Sequence, residues 1–301
     1  MNDRAPSTTE PSATAPPSVR DWLSLIRFSH SVFALPFALA ALLVATDGRP
    51  PLLLLVQIVL AMVFARSAAM AWNRYVDRDI DAKNPRTAGR EIPSGRIRPG
   101  AALVFTLAMA AGFVATAAWI QPLCGWLAVP TLGVLLGYSH AKRFTSFAHV
   151  WLGAALGLAA PAAWLAARGT FGPDLVAPSV LGLGVTAWVA GFDVLYACQD
   201  EDFDRAAGLR SLPARLGRRG AMLAARGLHA LAVVGFAAFG ALAGLGAIYF
   251  VGVGAVAVLL VHEHRLVRPD DLGRIDMAFF TMNGIVGLAM LGFVAADVYV
   301  G

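Results

Sequence analysis

The sequence predicts an all-α integral membrane protein: a bundle of nine transmembrane helices around a central cavity. Three observations carry that expectation. Only 14% of the 301 residues are charged and 58% are hydrophobic, whereas soluble domains carry about 25% charged residues. The apolar residues gather into nine runs close to the roughly 20 residues needed to span a bilayer. Basic residues collect in every second loop between those runs.

Residues 1–20 are rich in Pro, Ser, Thr and Ala and contain no apolar core. They predict a disordered cytoplasmic tail rather than a signal peptide. Residues 21–301 read as one transmembrane domain. Its predicted helices cover 22–46, 52–75, 101–119, 122–138, 148–167, 177–199, 221–242, 245–262 and 276–299, separated by Pro, Gly or charge clusters. The 2–3 loop holds Arg74, Arg78, Lys83, Arg86, Arg90, Arg96 and Arg98. The 4–5 loop holds Lys142 and Arg143, the 6–7 loop Arg205, Arg210, Arg215, Arg218 and Arg219, and the 8–9 loop Arg265, Arg268 and Arg274. The intervening loops carry Arg49, Arg168 or no basic residue. The positive-inside rule then places the N-terminus and the basic loops on the cytoplasmic face of the cell membrane. Cys124 and Cys198 lie inside apolar runs without ligand spacing, which predicts neither a disulfide nor a zinc site.

The stretch "AMAWNRYVDRDIDAKNPRTAGREIPSGR", residues 70–97, ends an apolar run in a crowd of charges, and "GFDVLYACQDEDFDRAAGLRSLPARLG", residues 191–217, does the same. Asp77 and Asp81 recur 123 residues later as Asp200 and Asp204. This predicts pseudo-repeat halves of about 21–147 and 148–270, with two acidic mouths facing each other across the cavity. Asn73, Asp77 and Asp81 follow i, i+4, i+8 spacing, so one helix face presents all three. Asp200 and Asp204 repeat the pattern.

Crowded carboxylates at a membrane edge repel one another unless cations neutralise them. An oxygen-only set of Asn73, Asp77, Asp81, Asp200 and Asp204 suits Mg²⁺, with Mn²⁺ as the alternative. Mg²⁺ takes one or two carboxylates and completes its shell with water and phosphate. Arg86, Arg90, Arg205 and Arg210 around the mouths supply donors for phosphate oxygens. Charges at helix ends ordinarily only solvate an interface. Two matched, arginine-rich copies instead describe a diphosphate site over a greasy bundle that can take a lipid tail.

Deeper in the membrane, Arg66 lies seven residues before Asn73, and Asp193 seven before Asp200. Ionisable groups at that depth point to function; the bland alternative is an Arg66–Asp193 ion pair that clips two helices together. Asn283 and His30 read as interhelical hydrogen bonders. "HEH" at 262–264 reads as a solvated loop edge lacking a third metal ligand, and His140, His149 and His229 have no evident partner. In "GYSHAKRF", Tyr138 and Lys142 stand at i, i+4, either to grip a diphosphate or as an interfacial aromatic beside a positive-inside lysine.

"NRYVDRDID" resembles the NxxxDxxxD motif of the UbiA superfamily of intramembrane prenyltransferases. "DVLYACQDEDFDR", which includes Tyr196, resembles its second acidic motif, and "YSHAK" its YxxxK motif. The resemblance covers nearly the whole chain after residue 20. It implies a nine-helix fold capped by the 2–3 and 6–7 loops, with Mg²⁺ held by Asn73, Asp77, Asp81, Asp200 and Asp204 on a polyprenyl diphosphate. Tyr138 and Lys142 match the family's diphosphate-contacting pair. Glu91 departs from the usual Pro in "REIPSG". With "NPRTAGR" and "RIDMAFFTMNGIVG", it is similar to a 4-hydroxybenzoate polyprenyltransferase-like subgroup that includes futalosine-route menaquinone enzymes.

The implied activity is aromatic prenylation in quinone biosynthesis, with Asp77, Asp200, Asp193 and Arg66 at the chemistry. The expected partners are a polyprenyl diphosphate, an aromatic carboxylate acceptor and membrane lipid, with no nucleic acid. Rival readings are a UbiA-type haem or chlorophyll prenylating enzyme, a CDP-alcohol phosphotransferase, whose D-x-x-D-G-x-x-A-R run is absent, and a transporter, which usually carries its charges near the midplane.

Overall fold

The computed structural model describes residues 17–26 and 33–301. Eight helical stretches among them are long and apolar enough to cross a membrane, and Leu35–Ala45 is a shorter ninth apolar helix. The expected all-α membrane architecture is observed, with nine apolar helical stretches among the described residues. The helices are α1 (Val19–Leu25), α2 (Leu35–Ala45), α3 (Leu52–Asp81), α4 (Pro99–Ile120), α5 (Pro122–Ala141), α6 (Ala148–Gly157), α7 (Ala159–Arg168), α8 (Val176–Ala197), α9 (Glu201–Ala206), α10 (Leu212–Leu242), α11 (Ala247–Leu266), the single turn α12 (Ile275–Met277) and α13 (Asn283–Val300).

Local chemistry sets the ends. Pro opens α4 and α5 and stands second in α10, where its missing N–H costs nothing. Gly169, at φ 79°, closes α7 in the left-handed conformation. The fifth predicted span is interrupted at Leu158, because the ring of Pro161 clashes with a carbonyl one turn earlier. The sixth ends in a 3₁₀ turn, Cys198–Asp200, before α9. Asp200 and Asp204 thus do not share one continuous α-helix, unlike the first motif. Gly217, at φ 70°, kinks α10.

The first predicted span divides into α1 and α2; His30 lies outside the described residues. Most of the expected tail also lies outside them, but Val19 and Arg20 are already helical, started by a capping box between Ser18 and Asp21. Glu91, the departure from the usual motif, is buried, accepts a hydrogen bond from Ser24 of α1, and lies 3.7 Å from Arg96. It ties α1 to the 2–3 loop.

Helix α8 is the centre of the molecule and packs chiefly on α10 and α6. Trp188 on α8 is fully buried among Phe37, Phe192 and Phe236. The approach of α6 to α8 depends on small residues. A methyl group added at Gly153 would meet the Thr186 carbonyl oxygen at 2.2 Å, and one at Gly157 would meet that of Gly182 at 2.3 Å. This is the close small-residue crossing that membranes favour. Large apolar side chains such as Trp126, Val104 and Leu223 face outward, as they do in hydrocarbon.

Candidate active site

Asn73, Asp77 and Asp81 end α3 on the face turned to a cavity of about 260 Å³, and Asp193, Tyr196, Asp200 and Asp204 line its opposite wall. The same cavity takes in Arg66, Arg86, Arg90, Tyr138 and Lys142. Twelve of the fourteen residues singled out from the sequence therefore meet in one place. Arg205 and Arg210 do not. Arg205 turns to Glu201 at 2.8 Å, and Arg210 donates to the Phe144 carbonyl at 2.8 Å. Arg205 is engaged within its own short helix and Arg210 by the 4–5 loop, and both line a separate surface depression rather than the cavity.

Each acid of the two motifs has a basic neighbour, and the pairing crosses between elements. Arg86, from the 2–3 loop, reaches the second mouth: its Nε donates to Asp200 Oδ1 at 2.9 Å, and its other arm grips Oδ2. Asn84 donates to the same carboxylate at 3.2 Å. Burial opposes the Arg86 charge, but the hydrogen bond and charge of Asp200 outweigh it and hold the guanidinium above its ordinary pKa. The guanidinium also lies 5.5 Å from the Tyr196 ring centroid. Arg90 donates to both oxygens of Asp81 at 2.7 Å. Asp77 accepts from Asn73 at 2.9 Å and from Arg143 at 3.3 Å.

Lys142 follows α5, and its Nζ lies 3.7 Å from Asp204 Oδ2. Burial lowers its pKa, but Asp204, Asp193, Asp200 and Asp77 together raise it above the ordinary lysine value. Asp204 Oδ2 is buried and accepts no hydrogen bond among the described residues. No three His, Cys, Asp or Glu side chains converge on a common point among the described residues.

Asp193 has a partner that the sequence did not suggest. Its carboxylate lies 2.6 Å from Nδ1 of His149, a fully buried residue. "HEH" is no solvated loop. Glu263 is 1% exposed and accepts from Asn283 at 3.0 Å, and His264 lies 3.0 Å from His229. Asn283 also accepts from Trp188 at 2.8 Å, the interhelical hydrogen bonding expected of it.

Comparison with known proteins places this chain in a family. The profile of the UbiA prenyltransferase family matches residues 34–285. The chain belongs to that family. The 4-hydroxybenzoate octaprenyltransferase of Xanthomonas oryzae pv. oryzae strain PXO99A is 34% identical over 264 residues, 84% of this chain and 85% of that protein. The protein of the same name from Alkalilimnicola ehrlichii is 30% identical over 258 residues, 86% of each. A UbiA homologue from Aeropyrum pernix K1, solved in its apo form, superposes with a TM-score of 0.81 at 33% identity, covering 89% of this chain and 98% of that one. A UbiA homologue from Archaeoglobus fulgidus bound to DMAPP and Mg²⁺ shares the fold, with a TM-score of 0.68 at 20% identity over 93% of this chain and 100% of that one.

This UbiA chain is a membrane-embedded prenyltransferase. Beneath its polar cavity lies a second, apolar one of about 210 Å³ between α2, α3, α4, α5 and the α6–α7 segment. Arg66, Met70, Tyr138, Leu152 and Leu156 line both, so the two hollows adjoin at the level of Arg66. Three contributors escaped the sequence reading: Asn84, Arg143 and His149. Asn84 and Arg143 stood inside stretches already marked as charged. For His149, its place one turn before Gly153 on the face that packs on α8 was the available signal.

Proposed function

We propose that the chain transfers a polyprenyl group from polyprenyl diphosphate to a ring carbon of an aromatic acid, 4-hydroxybenzoate or a hydroxynaphthoate-type acceptor, in quinone biosynthesis. One observation supports this above the others: both acidic mouths and their arginines border a single cavity that continues into an apolar hollow. A headgroup with several negative charges and a long apolar tail fits that pair of spaces. The relatives named 4-hydroxybenzoate octaprenyltransferase and the Archaeoglobus homologue bound to DMAPP and Mg²⁺ agree with it. The basic loops support a mouth on the cytoplasmic face.

Mg²⁺ suits the oxygen donors of Asn73, Asp77, Asp81, Asp200 and Asp204, and the buried, unbonded Asp204 Oδ2 is an atom a cation would satisfy. Paired mouths need no cage of three carboxylates, since diphosphate oxygens complete the shell. When bound, the ion neutralises charge gathering on the departing diphosphate.

The chain's own residues do the rest. Arg86, Arg90 and Lys142 hold diphosphate oxygens, with Tyr138 beside Lys142, so leaving-group charge develops where donors already point. The allylic C1–O bond breaks, and the apolar wall shields the cation from water. Arg66, at the junction of the two cavities, anchors the acceptor carboxylate and sets the ring beside C1. The ring carbon attacks, and Asp193 takes the proton it loses.

Purified protein given one polyprenyl diphosphate and a panel of aromatic acids, with mass detection of products, tests the reading. A prenylated hydroxybenzoate or hydroxynaphthoate is expected, lost on chelation of divalent ions. Asp77→Ala and Asp200→Ala should each lower turnover by about 10³-fold while folded protein stays in the membrane. Full activity in either variant overturns the assignment.

A further inference from the structure

We infer that His149 is a positioning residue for proton removal, orienting the Asp193 carboxylate that accepts the ring proton. The inference rests on the reading of Asp193 given above and names a residue outside every motif.

The geometry fixes the imidazole from both sides. His149 lies in the first turn of α6 and is 0% exposed, while Asp193, on α8, is 21% exposed and lines the cavity. His149 Nδ1 lies 2.6 Å from Asp193 Oδ2. On the far side of the ring, the backbone N–H of Leu212 points at Nε2 across 3.4 Å. Leu212 is the first residue of α10, capped by Ser211, and the N–H at that position has no partner within its own helix. A donor aimed at Nε2 requires a lone pair there, so the ring proton sits on Nδ1 and is donated to Asp193. An imidazolium would set two N–H groups against each other. His149 is therefore a neutral, one-directional donor.

The placement is rigid. Gly153 stands one turn after His149 and packs against the Thr186 carbonyl; Asp193 lies two turns beyond Thr186 on α8. The close helix crossing sets the His149–Asp193 distance. With Oδ2 occupied by His149, Oδ1 is the oxygen left for the cavity, where Arg66, Tyr138 and Lys142 also stand.

The step balances without another reactant. The ring C–H bond breaks, its electron pair restores aromaticity, and the proton passes to the Asp193 carboxylate. His149 keeps its own proton throughout.

Two substitutions separate the faces of the ring. Asn places an amide N–H near the Nδ1 position and keeps the donor to Asp193; Gln reaches toward Leu212 and loses it. Full-length protein is assayed with geranyl diphosphate and whichever ring acceptor the wild type alkylates, unlabelled or deuterated at the attacked carbon. Failure on hydroxybenzoates then falls on the acceptor assignment and not on His149.

His149→Gln is expected to lower kcat by about ten- to a hundredfold with both KM values little changed. It should also bring out a ring-deuterium isotope effect larger than that of the wild type, as proton loss becomes slow. His149→Asn should restore most of kcat and abolish the added isotope effect. In Asp193→Asn, His149→Gln should cost little more. Equal activity of the Asn and Gln variants, a loss in His149→Gln without any rise in the isotope effect, or full additivity with Asp193→Asn overturns the inference.

Discussion

Helix α3 carries the first acidic mouth on an unbroken α-helix to Asp81, whereas α8 stops at Ala197 and delivers Asp200 on a 3₁₀ turn and Asp204 on the short α9. Both motifs have the same spacing, yet only one keeps it as a straight helical face. The cations divide unevenly as well. Asp81 is held by Arg90 of its own loop, while Asp200 is held by Arg86, which crosses from the first mouth to the second. Asp204 draws Lys142 from between α5 and α6. The loop after the regular mouth thus sends a cation across to the bent one.

The largest break in this comparison should come from Arg86. Arg86→Gln removes the bridge between the mouths, and kcat/KM for the diphosphate donor should fall by about 10²-fold, read from steady-state kinetics at saturating acceptor. Arg205→Gln should have the smallest effect. Its guanidinium faces Glu201 and is 57% exposed, and an exposed ion pair contributes at most about 1 kcal/mol; kcat/KM should stay within about threefold of wild type. A large loss at Arg205 with little at Arg86 would reverse that ranking.

Most of the architecture could be read from the chain because hydrocarbon thickness and apolar run length answer to each other. The predicted 101–119 and 122–138 correspond to observed helices at 99–120 and 122–141, and 276–299 to a continuous helical stretch at 275–300 that includes α12 and α13. The acidic motifs were legible because i, i+4 spacing on α3 is a local property. What escaped was tertiary. The break before Pro161 lies within an otherwise continuous apolar run. His149 gains its meaning from Asp193, 44 residues away, and Glu263 from Asn283 on a neighbouring helix. Arg205 and Arg210 were drawn in by charge alone, and their guanidiniums turn to nearby acceptors instead.

Both mouths are held to grip one ion-bound diphosphate, and Mn²⁺ binding followed by electron paramagnetic resonance tests this most directly. In the wild type, adding geranyl diphosphate should sharply tighten Mn²⁺ binding, and both Asp77→Asn and Asp200→Asn should lose that donor-dependent gain. Wild-type donor-dependent Mn²⁺ binding in either variant would contradict a shared site.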